Sequence, residues 1–306
     1  MKLGFHIPNL SPASGPEGIV KVAQKAEELG YETIWSTERL LWPVKPLTGY
    51  GGMEGVPLPE GYKYQLDPLD SLAFAAAVTK RVKLGTSILV FPYYNPVLLA
   101  RRITTLDVLS GGRAVIGLGM GWSPEEFEAA GASMKGRGAR ADEALQVMKT
   151  IWANDPAEFN GKHYQVAKSI ILPKPVQKPH PPIYMSAYAP AAMKRVATQT
   201  SGWLPVGIPI EGMRQMWDGI KSMARDAGRN PDELKLMVRA NVAVLPEAQG
   251  EGRFIFVGSR DEIKADIQAC KELGAAEVQF DPTSGPHGTT VQGFLETAEL
   301  MQELTG

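Results

Sequence analysis

The chain has 306 residues, with 32 Lys and Arg against 33 Asp and Glu and a formal net charge of -1. Its basic residues are dispersed, which leaves no electrostatic footprint for nucleic acid or an anionic membrane, and no apolar run is long enough to span a bilayer. One cysteine, Cys270, excludes an intrachain disulfide and fits a reducing compartment. The N-terminal MKLGFHIPNL reads as a strand rather than a signal peptide, so a cytoplasmic protein is expected.

Short β-branched runs alternate with longer helical patterns, which argues for βα units and a parallel sheet. Strand one is expected over 2–7, followed by a helix over 17–29 that Gly30 stops. Strand two covers 33–36. A long Gly/Pro-rich connection leads to a helix over 69–80 and strand three over 82–90. A helix over 97–109, with Asn95 placed to cap it, precedes strand four at 113–118. Helical patterns follow at 124–130 and 139–152. Within EFNGKHYQVAKSIIL an Asn-Gly turn separates two extended runs, so a β-hairpin insertion is expected at about 158–174. Strand five at 183–186, strand six at 203–206, strand seven at 236–244 and strand eight at 277–280 complete the series. Helices are expected at 191–198, 212–227, 261–273 and 291–304, and the spacing of Ile263, Ile267, Cys270 and Leu273 marks Cys270 as a buried, inert thiol. Eight strand–helix alternations without a dividing linker predict one (β/α)8 TIM barrel spanning 1–306. The competing doubly wound sheet would place a Gly-x-Gly-x-x-Gly motif after strand one, where the chain has PNLSPASGPEG.

In a barrel the loops after the strand C-termini build the active site. Strand two runs into TERLLWP, so Glu38, Arg39 and Trp42 belong on the functional rim. They form either a surface ion pair with a covering indole or a ligand-facing set. The connection at about 44–65 carries Tyr50, Tyr62 and Tyr64 among glycines and prolines, and reads as a lid over a flat ligand. Strand four ends in GLGMGWSP, whose alternating glycines fit close ligand approach or tight packing equally well. Strand five ends in IYMSAYAPAA, where Ser186 and the first turn of a helix would suit a phosphate, or form an ordinary connection. His6 either reaches the mouth or packs under a helix. No His/Cys/carboxylate cluster has metal-ligand spacing, so no metal is expected.

Taken together, LGFHIPN, AEELGYETIWSTER, DPLDSLAFAAAVTKRVKLGTSILV, NPVLLARRITTLDVLSGGRAVIGLGMGWSPEEFEAAG, RGARADEALQVMKTIW and ILPKPVQKPHPPIYMSAYAPAAMKRVA resemble the bacterial luciferase-like family of flavin- and deazaflavin-dependent oxidoreductases. The spacing looks most similar to the branch that uses coenzyme F420, a 5-deazaflavin. The resemblance implies a barrel with the cofactor ring across its C-terminal mouth and a non-proline cis peptide, here Ser87–Ile88, in a bulge behind the ring. It also implies that Gly119, Met120 and Gly121 border the cofactor, that Ser186, Ala187 and Tyr188 lie near its phosphate, and that the protein is a homodimer. Glu38 would contact the ring or substrate, and Trp42, Tyr50, Tyr62, Tyr64 and Trp122 would cover the site. Two positions depart from the family pattern. Arg39 stands where many relatives have a His, and an always-protonated Arg would orient a polar group rather than shuttle a proton. Trp122 stands where the sugar-phosphate dehydrogenases carry a Glu. The expected activity is hydride transfer between a deazaflavin and a small organic substrate. An FMN-dependent monooxygenase using dioxygen and a non-catalytic flavin carrier are the alternatives.

Overall fold

The computed structural model describes residues 1–306. Its elements in chain order are β1 (Lys2–His6), α1 (Pro16–Glu28), β2 (Thr33–Ser36), α2 (Pro68–Val78), β3 (Lys83–Thr86), β4 (Leu89–Val90), α3 (Pro96–Ser110), β5 (Ala114–Gly119), α4 (Pro124–Ala129) and α5 (Arg137–Ala153). There follow β6 (Ala157–Asn160), β7 (Gln165–Ser169), β8 (Ile183–Met185), α6 (Pro190–Gln199), β9 (Gly202–Trp203), α7 (Ile210–Asp226), β10 (Lys235–Asn241), β11 (Ala243–Val244), β12 (Val257–Gly258), α8 (Arg260–Glu272), β13 (Glu277–Asp281) and α9 (Val291–Thr305). Parallel strands run in the order β3, β2, β1, β13, β10, β9, β8, β5, and pairing of β3 with β5 closes the ring. This is the (β/α)8 barrel that the alternation predicts.

Local chemistry sets the element ends. Asn95 accepts from the backbone N–H groups of Val97 and Leu98 at the start of α3, and Gly111 ends that helix with φ 71 in the left-handed region. Ser259 and Glu262 form a reciprocal capping box on α8. The expected hairpin is present as the antiparallel pair β6–β7.

Three elements differ from the sequence expectation. The run expected as one strand over 82–90 is split, because the chain bulges at Ser87–Ile88 between β3 and β4, and that bond is cis as the resemblance implies. Strand six is only β9, continued by a single bridge between Val206 and Arg239. The strand expected over 236–244 divides into β10 and β11, and β11 pairs with β12, an element the sequence does not announce.

The main core lies between barrel and helices and includes Cys270, which is fully buried. A second, smaller cluster fills the barrel itself: Trp35, Val115, Tyr184, Leu204 and Met237. A Cβ at Gly4 or Gly85 would overlap the Trp35 indole, so these two glycines make room for it between β1 and β3. Beneath the indole, Glu277 accepts from Trp35 Nε1 at 2.6 Å and from Thr33 Oγ1 at 2.9 Å. Burial pushes this carboxyl up to about 7 against the pull of those donors.

Candidate active site

Helices cover the outside of the barrel, so strand residues alternate between a helix-facing apolar position and the interior. β13, written EVQFD, therefore sends Glu277, Gln279 and Asp281 inward, and β10 sends Met237, Arg239 and Asn241 inward at matching register. Above the Trp35 layer this alternation builds a polar layer at the mouth. His6 Nε2 lies 2.9 Å from Gln279 Oε1, and His6 Nδ1 lies 3.6 Å from Asp281 Oδ2. Arg239 is ion-paired with Asp281, donates from Nε to Asn241 Oδ1 at 3.1 Å, and donates from Nη1 to the Ser87 carbonyl. Thr37 Oγ1 donates to the same carbonyl at 3.0 Å.

Burial holds His6 down at about 4, although Asp281 opposes it. Burial also pushes Asp281 up, but the charges of His6 and Arg239 outweigh it and hold the carboxyl at about 2. At neutral pH the layer thus contains one cation, one anion and a neutral imidazole.

Glu38 continues the β2 alternation to the other side and turns away from the barrel axis. Its carboxylate accepts from the Val90 N–H and the Tyr94 hydroxyl, bracing the segment just past the bulge. Burial pushes it up to about 7, with those two donors acting against the shift. Arg39 faces neither solvent nor the Ser87 bulge. Its guanidinium lies 4.3 Å from the Trp122 ring centroid and 3.1 Å from Glu126 Oε1, and the side chain is 7% exposed.

Residues 40–66 form a strap across the mouth. At one end Glu126, on α4, accepts from the N–H groups of Leu40 and Leu41 and from the Tyr93 hydroxyl, and Glu125 accepts from Leu47 N–H. At the other end Asn9, just past β1, exchanges two hydrogen bonds with Leu66. Between these anchors Tyr50 packs edge-on to Trp122 and to Tyr62, and the two tyrosine hydroxyls are 3.3 Å apart. Tyr62 is buried and within electrostatic reach of Arg239 and Asp281, so the strap forms the roof of the polar layer. Lys63 Nζ lies 4.4 Å from the Trp42 ring centroid, whereas Tyr64 is half exposed.

The glycines at the end of β5 and just past it serve packing. A Cβ at Gly119 would overlap the Ile88 side chain, and one at Gly121, where φ is 68, would crowd Val90 and Phe127. Met120 between them packs partly buried against the core. At the end of β8, Ser186 Oγ donates to the Tyr188 hydroxyl at 3.1 Å, Ala187 is buried, and α6 begins at Pro190 without a side-chain cap. A separate cavity of about 420 Å³ lies on the rim between the segment after β9 and the 250–255 loop. Its one cation, Arg253, is already paired with Asp266, so it presents fewer free polar groups than the mouth.

Residues 1–250 match the family described as luciferase-like monooxygenases. The chain belongs to that family. Among relatives of this luciferase-like oxidoreductase, an FMNH2-dependent dimethylsulfone monooxygenase of Pseudomonas putida is 29% identical over 88% of this chain and 68% of its own length. An F420-dependent glucose-6-phosphate dehydrogenase of Amycolatopsis mediterranei is 30% identical over 62% of this chain and 53% of its own. The crystal structure of monooxygenase RslO1 from Streptomyces bottropensis superposes with a TM-score of 0.79 at 23% identity, covering 99% of this chain and 98% of that one. The family thus contains both FMN- and F420-dependent enzymes acting on small molecules, and the barrel is common to them.

The structure brings Ile88 and Gly119 together at the bulge, sets Gly121 against Val90 and Phe127 beside it, and brings Arg39, Trp122, Tyr50 and Tyr62 together at the strap. Sequence reasoning missed Arg239, Gln279 and Asp281 as site residues and Glu126 as the partner of Arg39. The strictly alternating polar residues of EVQFD were the available signal, since a central barrel strand can place polar side chains only inside.

Proposed function

We propose that this luciferase-like oxidoreductase transfers a hydride between coenzyme F420 and a small organic substrate. The observation that carries the reading is the tyrosine-roofed strap over a polar, charge-balanced mouth, an arrangement that keeps water from a reacting hydride. The residues suit a flat ring: four buried donors have no partner, the Ser87 hydroxyl and the Gln279 amide in the polar layer and the Trp42 indole N–H and Thr48 hydroxyl in the strap above it. A bound deazaflavin supplies the hydride chemistry; the chain supplies position, dryness and field.

In this reading Ile88, with Gly119, Met120 and Gly121 behind and beside it, forms the wall for the ring. The uncapped first turn of α6, with Ser186, Ala187 and Tyr188, would hold the phosphate. Glu38, turned outward, does not meet the ring in this reading; it holds the Val90 N–H and the Tyr94 hydroxyl and so braces the segment that carries the bulge. Arg39 acts as a strut between Trp122 and Glu126, which keeps the strap in place over the substrate. Trp42, Tyr50, Tyr62 and Tyr64 complete the cover.

One observation favours a second reading, an FMN-dependent monooxygenase: the match to the dimethylsulfone monooxygenase runs over 88% of the chain, against 62% for the F420-dependent dehydrogenase. Titration of the apoprotein with FMN and with coenzyme F420, followed by turnover assays with the tighter ligand, separates the two. Selective FMN binding with oxygen consumption would replace the leading reading by the second. Tight binding with no turnover across a broad substrate panel would mark a carrier.

A further inference from the structure

Four buried side-chain donors have nothing to donate to: Trp42 Nε1 and Thr48 Oγ1 in the strap, and Gln279 Nε2 and Ser87 Oγ in the layer it covers. Gln279 Nε2 and Ser87 Oγ are buried and make no hydrogen bond, a costly arrangement unless an acceptor arrives. They belong to one wall. Gln279 is the register partner of Arg239 across β13 and β10, and Arg239 donates to the carbonyl of Ser87. The charge of this wall is already balanced, because Arg239 is paired with Asp281 and the third ionisable group there, His6, is neutral at physiological pH. A balanced, donor-rich wall suits a neutral acceptor and disfavours a further full anion such as a phosphate. Trp35, Tyr184, Leu204 and Met237 fill the barrel below it, so the acceptor must enter from the side that Tyr50 and Tyr62 roof.

Flavins and deazaflavins offer three chemically distinct parts: an apolar benzenoid edge, a phosphate-bearing tail, and a pyrimidinedione edge of neutral carbonyls. Only the last matches the wall. Resting on the reading of the mouth as a flavin or deazaflavin site, we propose that Gln279 Nε2 and Ser87 Oγ, with Arg239 fixing the wall that carries them, receive a pyrimidinedione carbonyl of the cofactor ring. That edge is common to FMN and coenzyme F420, so the wall secures the ring without choosing between them. Donors at this edge also favour the reduced ring, whose added electron density makes its carbonyls stronger acceptors, over the oxidised ring.

The test measures binding by fluorescence for the wild type, Gln279→Leu and Ser87→Ala, with circular dichroism as the check on folding. The ligands are FMN, coenzyme F420, and the 2-thio and 4-thio analogues of FMN, in which a carbonyl oxygen is replaced by sulfur, a weak acceptor. Gln279→Leu should weaken the cofactor that the wild type binds by about tenfold, and Ser87→Ala by a few-fold. The preference of the wild type for FMN over one thio analogue should shrink in Gln279→Leu, and the midpoint potential of the bound cofactor should fall. Unchanged affinities in both variants overturn the proposal, as does an equal loss for FMN and both thio analogues, which would mark a merely structural role. A wild type that binds neither FMN nor coenzyme F420 overturns the flavin-site reading itself, and the two failures are told apart by whether the wild type binds.

Discussion

The barrel interior has two levels, and they solve the problem of buried charge in opposite ways. In the lower level Glu277 has a donor for each oxygen, Trp35 on one and Thr33 on the other, and glycines at 4 and 85 admit the indole that makes this possible. In the upper level Arg239 and Asp281 neutralise one another, yet Gln279 and Ser87 keep donors that nothing in the chain satisfies. A carboxyl with both oxygens satisfied below, and buried donors left over above, separate the plug from the layer that the proposed ligand would meet.

The strongest way to break the lower level is Trp35→Ala. It deletes a fully buried indole and strands Glu277, so a loss of about 5 kcal/mol is expected in urea unfolding, the upper end for such truncations. A loss below about 2 kcal/mol would show that the plug does not depend on the indole. In the upper level Asp281→Ala leaves the buried guanidinium of Arg239 uncompensated. A cost of about 3–4 kcal/mol is expected, together with weaker cofactor binding, whereas Trp35→Ala variants that remain folded should keep their affinity.

The two levels also respond oppositely to pH. The Glu277 carboxyl is raised from 4.5 to about 7 in the fold, so the native state holds its proton more tightly. Its stabilisation is complete below pH 4.5 and is lost as pH rises through about 7. His6 is lowered from 6.5 to about 4, so its share is complete above pH 6.5 and is lost on acidification toward 4. Glu277→Gln should therefore gain stability relative to the wild type as pH rises from 4.5 to 7, on the order of 3 kcal/mol across the window, measured by unfolding at each pH. A parallel pair of curves would refute the assignment. The smallest effect is expected at the strap. Glu126→Gln removes the ion partner of Arg39, both side chains being nearly buried, and should cost about 2 kcal/mol globally, held below the cost of an alanine because the amide can still accept from Leu40 and Leu41. It should nevertheless speed hydrogen exchange at the Leu40 and Leu41 amides, leaving exchange in β10 and β13 unchanged.

The barrel was legible because its evidence is local: each β-branched run and each helical pattern announces itself within a dozen residues. The break at Ser87–Ile88 was invisible to periodicity, since VKLGTSILV reads as one apolar run; only the resemblance located it. The upper layer was illegible for another reason. Its members come from β1, β2, β10 and β13, and only the register of a closed sheet brings His6, Arg239 and Asp281 within reach of one another. Arg39 shows the limit of position without contacts. Its place on the rim was readable, but its partners Trp122 and Glu126 lie more than eighty residues on, and they make it a strut.

The buried Cys270 gives the chain an internal clock. Burial pushes its thiol up to about 12, and it sits on α8 against the outer core, remote from mouth and strap. A thiol reagent can therefore reach it only when the helical layer itself comes apart. The labelling rate of this one sulfur counts openings of the α8 layer, while strap motion passes unrecorded. Comparing that rate with and without added cofactor would convert ligand binding into a time measured on an unmodified chain.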